Sequence, residues 1–160
     1  MNRKRIISLA STAMYAAIAQ DWPKANKATQ AIGDEFGGDG VIAAALAWCD
    51  SMLAHTPGVD PTSGNPVRLT FKNLESGRVD NDANQVPPAI RWAGRIVAAR
   101  AADDEPGFRG LIESLESDKQ FSEYIGALLS MVAANLRPVA DAARQVRASR
   151  ETPGDGQVPA

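Results

Sequence analysis

Apolar residues along this chain recur mostly at helical spacing and alternate in only one short stretch. Ile42, Ala45, Leu46, Cys49 and Leu53 form an i, i+3, i+4, i+7, i+11 stripe, the mark of one buried helix face. Ile125, Leu128, Leu129, Val132 and Leu136 repeat that stripe 83 residues later. In the segments just ahead, Ala25, Ala28 and Ile32 correspond to Phe108, Leu111 and Leu115 at the same offset. Asp21-Trp22-Pro23 likewise recurs as Asp104-Glu105-Pro106, and Ile7, Ala10, Ala16 and Ala19 meet Ile90, Ala93, Ala99 and Ala102.

This pattern predicts a mainly α fold of two related three-helix halves, residues 4–55 and 88–136. The first helices run over 4–20 and 88–103, the second over 22–36 and 105–116, the third over 40–55 and 119–136. Asp21 and Asp104 suit N-cap positions, where a carboxylate accepts from the free N–H groups of the next turn. Pro23 and Pro106 then fall in the first turn, where a missing N–H costs little. Gly37-Gly38-Asp39-Gly40 closes one second helix, and Ser117-Asp118-Lys119-Gln120 reads as a capping box ahead of the last long one. A short C-terminal helix over 138–149 is expected to start at Pro138, followed by a disordered tail over 151–160. Residues 1–150 are thus read as a single helical domain.

The alternating stretch lies between the halves, in a loop-rich segment over 56–87. Val67, Leu69 and Phe71 alternate with Arg68, Thr70 and Lys72, as in a half-buried strand. Glu75-Ser76-Gly77 can turn the chain into a return strand around Arg78-Val79, so a small β-hairpin insertion is expected, packed on the helices.

The N-terminus imitates a secretory signal: Met1-Asn2-Arg3-Lys4-Arg5, an apolar run, and Ala17-Ile18-Ala19. Ser8, Ser11 and Thr12 dilute that run, and the segment has a counterpart in the second half, so it is read as a helix of the mature protein. No other stretch approaches the roughly 20 apolar residues of a membrane span, and the expected location is the cytoplasm, with no membrane partner.

Composition adds restraint rather than direction. An apolar fraction of 44% and a charged fraction of 22% are those of a folded globular chain. The formal charge of −2 gives no reason to expect a polyanion bound to the whole molecule. The single cysteine, Cys49, excludes an intramolecular disulfide framework. Abundant alanine with few large side chains points to closely packed helices, whose burial a homo-oligomer could complete.

Candidate chemistry is sparse. The chain holds no P-loop, G-x-S-x-G elbow, H-E-x-x-H or paired C-x-x-C, and no cofactor or metal is expected. His55 follows Cys49 by six residues, which turns the two side chains apart on a helix, so Cys49 is read as core and His55 as a helix-end residue. Asp80-Asn81-Asp82-Ala83-Asn84 imitates the start of a calcium loop. The sixth position is Gln85 where glycine is needed, and the twelfth is Arg91 where glutamate is needed. Asp34, Glu35 and Asp39 around the glycines match no ligand spacing.

Binding candidates are Trp22, Arg91, Trp92 and Arg95. Arg91 and Arg95 stand one turn apart with Trp92 beside them, a set able to hold a phosphate or stack on a base. The alternative is a solvated helix edge with Trp92 turned inward. Arg144, Arg147 and Arg150 form a second basic ridge, although cations near a helix C-terminus are also favoured by its dipole. Trp22 has no apolar equivalent in the other half and is either a core plug or an anchor for a partner.

The run from Ala16 to Ile32, with Asp21-Trp22, Ala25 and Ala28, resembles the turn and second helix of a tetratricopeptide hairpin. That family recurs about every 34 residues as helix pairs. The 83-residue period departs from it, and peptide binding is not carried over. The leading expectation is a non-enzymatic helical module that binds another protein, with an accessory protein of a phage or other mobile element as one setting. The alternatives are nucleic-acid or phosphate-ligand binding through the arginine ridges, and a small enzyme with a polar site around Asp80, Asp82, Arg91 and Arg95.

Overall fold

The computed structural model describes residues 2–59, 71–72, 79–80 and 86–151. Among these the protein is mainly α, with five helices: α1 (Arg3–Ile18), α2 (Trp22–Ala54), α3 (Pro88–Ala101), α4 (Glu105–Glu113) and α5 (Asp118–Glu151). None of them is long and apolar enough to cross a membrane. Two short strands, β1 (Phe71–Lys72) and β2 (Val79–Asp80), pair antiparallel with Phe71 opposite Asp80 and Lys72 opposite Val79.

Among the described residues the pairing covers two residues of each strand. The expected strand over 67–72 and its turn lie largely outside the described residues, and a hairpin packed on the helices finds no support in this structure. The calcium-loop imitation at residues 81–85 and the tail over 152–160 also lie outside them.

The turns that join α1 to α2 and α3 to α4 share one geometry. Gln20 and Asp103 both adopt left-handed backbone, with φ of 61° and 53°. Asp21 N–H reaches back to Ala16 O at 2.8 Å and Gln20 N–H to Ala17 O at 3.0 Å. Asp104 N–H to Ala99 O (2.9 Å) and Asp103 N–H to Arg100 O (3.2 Å) repeat the arrangement. Each is a Schellman closure, which satisfies carbonyls that the helix end leaves free. The residue after it caps the next helix: Asp21 Oδ1 accepts the Lys24 N–H at 3.3 Å, and Asp104 Oδ1 accepts the Gly107 N–H at 2.9 Å.

Beyond those turns the two helix pairs differ. α2 is helical on both sides of a single break at Gly37 (φ 68°, ψ −163°), so its two segments meet with no intervening loop. Between α4 and α5 the helical path instead breaks completely. There Ser117 Oγ accepts the Gln120 N–H at 3.1 Å and Gln120 Oε1 accepts the Glu116 N–H at 2.7 Å, a capping box whose return arm lands one residue early.

The separate short helix expected over 138–149 does not form, because α5 continues through Pro138 to Glu151. A proline inside a helix removes one hydrogen bond, here to the carbonyl of Ala134. Both Ala134 and Pro138 are exposed, so water replaces the lost donor and the helix carries on.

One contiguous cluster of buried side chains draws on all five helices. α1 packs chiefly along α2, and α5 packs against α3, α1 and α2. Ala13, Ala17, Ala25, Ala44 and Ala45 are fully buried, small enough to let helices approach closely. Trp48 is the largest fully buried side chain, and its indole N–H donates to Ala10 O on α1 at 2.9 Å. The stripe on α5 is buried as expected, at Ile125, Leu128, Leu129, Val132 and Leu136. The stripe on α2 is centred one position earlier, on Val41, Ala44, Ala45 and Trp48. Ile42 and Leu46 are left only half-buried at its edge.

Candidate functional site

Those two edge residues line a groove. A cavity of about 510 Å³ opens between the second segment of α2, the C-terminal turn of α3 and the length of α4. Its floor is apolar: Ile42 and Leu46 from α2, Ala99 from α3, and Phe108 and Ile112 one turn apart on α4. Its rim is acidic, with Asp39, Asp103, Asp104, Glu105 and Glu113 against Arg100 and Arg109.

Local sequence explains the placement. The break at Gly37 starts the second α2 segment with Asp39 at one end of the groove and Ile42 and Leu46 along its side. The Schellman turn at Asp103 brings two successive carboxylates, Asp103 and Asp104, to the opposite wall. On α4 the spacing of Phe108 and Ile112 puts both apolar groups on one side, with Glu105, Arg109 and Glu113 on the next.

Both rim guanidiniums are already engaged. Arg100 grips Asp50 with two parallel bonds, Nε to Oδ1 at 2.8 Å and a terminal nitrogen to Oδ2 at 3.1 Å. That hydrogen bonding pushes the Arg100 pKa above its usual value. Arg109 is paired with Glu105 one turn earlier on α4. Asp39, Asp103 and Glu113 form no ion pair among the described residues, and although Asp103 acts on Arg100 at longer range, acids outnumber arginines around the groove. An apolar floor under such a rim is complementary in chemistry to apolar side chains flanked by cations.

None of the four residues singled out from sequence lines this groove. Trp92 is buried, with its N–H donated to Leu111 O at 2.9 Å and its ring centroid 5.5 Å from that of Tyr124, tilted by 56°. It fastens α3 to α4 and α5 rather than facing a ligand. Arg91 is half-buried beside it and Arg95 is exposed, the solvated-edge arrangement. Trp22 is half-buried and packs against the core at the start of α2. The enzyme alternative needs Asp82, which lies outside the described residues, as does the side chain of Asp80.

The other candidates separate cleanly. Cys49 is fully buried, and burial, helped by the neighbouring Asp50 charge, pushes its thiol up to about 12. His55 caps the end of α2, with Nδ1 2.8 Å from Ser51 O, and is exposed. Glu35 is gripped by Arg5 of α1 through two bonds of 3.0 and 3.2 Å, while Asp34 accepts from Gln30 at 2.9 Å. Among the described residues no group of three or more His, Cys, Asp or Glu side chains is arranged to hold a metal ion.

The groove itself was not legible as a site, because its acids come from α2, the α3–α4 turn and α4, and no linear motif joins them. The one available signal was the amphipathic run from Glu105 to Glu113. Comparison with known proteins returns no matching family model, no similar curated protein and no similar solved structure.

Proposed function

We infer that this protein is a non-enzymatic helical module that binds another protein, and that the binding surface is the groove between α2 and α3–α4. The observation that carries the reading is the pairing of an apolar floor (Ile42, Leu46, Phe108, Ile112) with a rim whose carboxylates outnumber its guanidiniums. A helix with an apolar stripe and basic flanks is the complementary ligand, since helix-in-groove recognition buries the stripe and leaves charges to set orientation. The reading includes a relationship between the two halves of the chain, supported by the matched turns at Gln20–Asp21 and Asp103–Asp104.

Co-purification of tagged full-length protein from its host, with nuclease treatment, tests the reading when run beside Leu46→Glu. A protein partner held by the wild type and lost by the variant supports it. Equal retention by both moves the contact away from the groove.

One observation favours nucleic acid as a second reading: Arg144, Arg147 and Arg150 are all exposed on the last turns of α5. Asp141 and Glu151 lie on the same segment, and Arg144 is tied to Asp141 at 3.0 Å, which weakens the ridge as a polyanion site. Binding of an oligonucleotide that falls steeply with salt would favour this reading over the first.

A further inference from the structure

α5 outruns the body of the protein. Arg137 donates to the last carbonyls of α1, and Ala140 is the last α5 residue packed against the core. From Asp141 to Glu151 every residue is exposed, a projection of about 16 Å at helical rise. These turns extend a helix that is packed up to Ala140 but bury no side chain of their own.

The apolar stripe of α5 does not stop where the core does. Leu129, Val132 and Leu136 are buried, and the same alternation of three- and four-residue steps continues through Val139, Ala143 and Val146. Val139 and Val146 are 38% and 52% exposed, two of the few large apolar side chains the described surface leaves in water. Arg144, Arg147 and Arg150 flank that stripe, and Arg147 and Arg150 form no ion pair among the described residues. An apolar stripe with basic flanks therefore projects from a molecule whose groove has an apolar floor and an acidic rim.

We propose that the projecting end of α5 docks into the groove of a second copy of this chain. Val139, Ala143 and Val146 lie on the apolar floor, and Arg147 and Arg150 face the carboxylates of Glu105 and Glu113. Each copy carries one tail and one groove, so two copies satisfy both in a dimer with two identical contacts. The inference rests on the groove being an interaction surface, and it names the chain itself as the occupant.

A charge swap in the full-length protein tests it, read by sedimentation velocity at low and high salt. The wild type is expected to dimerise, with affinity falling about tenfold or more between 50 and 500 mM salt, as charge-steered contacts do. Arg147→Glu/Arg150→Glu and Glu105→Lys/Glu113→Lys should each be monomeric, with circular dichroism confirming the fold. Mixed together they should form a dimer, because the acidic tail then meets the basic groove and the basic tail meets the acidic groove. A wild type that stays monomeric at high concentration and low salt overturns the proposal. So does a dimer indifferent to both variants, or a failure of the mixed variants to associate. If the chain is monomeric yet Leu46→Glu loses a host partner, the self-docking inference fails and the interaction-module reading stands. If Leu46→Glu loses nothing and the charge swap also fails, both fall.

Discussion

Arg137 on α5 closes the C-terminus of α1: its Nε donates to Ile18 O at 2.9 Å and a terminal nitrogen donates to Ala17 O at 3.2 Å. Ile18 O and Ala17 O, the latter already accepting the Gln20 N–H, thus receive one planar, always-charged fork from a residue more than a hundred positions away. Arg137→Ala should cost about 1–3 kcal/mol in urea unfolding, the range for hydrogen bonds to charged groups, with an unchanged m-value. Arg137→Lys should recover only part of that, since an ammonium cannot address both carbonyls in one plane. A cost near zero for Arg137→Ala would mean that water caps α1 equally well.

Gln20 occupies left-handed backbone (φ 61°) at an exposed turn, a conformation that glycine adopts without steric penalty. Gln20→Gly should therefore stabilise the protein by about 0.5–1 kcal/mol, the relief exceeding the added freedom of the unfolded chain. Thermal unfolding checks this, and a lower Tm would show that the Gln20 side chain does more than fill the turn.

Gly37 and Gly40 should respond to alanine for different reasons. A Cβ at Gly37 meets nothing within 4 Å, so only the backbone resists: φ 68° with ψ −163° is a region essentially reserved for glycine, and the cost should be about 1–3 kcal/mol. A Cβ at Gly40 would sit 2.3 Å from Phe36 Cβ, so the two α2 segments must shift apart. Gly40→Ala should also cost about 1–3 kcal/mol, as for an overpacked core. Denaturant titrations check both, and a cost near zero at either position would remove the constraint named for it.

Cys49 should be inert in the folded protein. Its thiol is pushed up to about 12 by burial, so almost no thiolate exists near neutral pH and the sulfur is out of reach of reagents. Labelling by a thiol reagent should proceed only through unfolding and accelerate with urea. Fast labelling without denaturant would contradict the buried placement.

The Arg5–Glu35 pair gives a pH signature of known sign. Hydrogen bonding from Arg5 lowers the Glu35 pKa below the usual carboxylate value. A depressed folded pKa contributes stability above the unfolded pKa, and that contribution is lost as pH falls through the folded value. Both side chains are well exposed, so the effect on stability is small. An NMR titration is the sensitive measurement: Arg5→Ala should return Glu35 towards its ordinary pKa, and an unmoved titration would mean the pair does not persist in solution.

Much of the helical frame was legible in the order of residues. Asp21 and Asp104 start α2 and α4 because a carboxylate before a first-turn proline has few better uses. The stripe from Ile125 to Leu136 is core because its spacing leaves it one face to bury. Pro138 misled, since a proline reads as a boundary wherever it stands, yet here the lost bond falls on a wet side of α5.

The sequence by itself determined where α1 to α5 begin (though not that α2 and α5 run on past Gly37 and Pro138), which face of α5 is apolar, and that Cys49 is core, because these follow from short-range geometry and periodicity. Tertiary structure alone decided that Trp92 faces inward to Leu111 O, and that Trp48 claims the centre of the α2 face and leaves Ile42 and Leu46 at its edge. It also decided that carboxylates from three elements gather around those two residues, a charge arrangement that depends on how helices cross. Periodicity along a chain says which residues seek burial; only the packing of whole helices says which of them are left to bury something else.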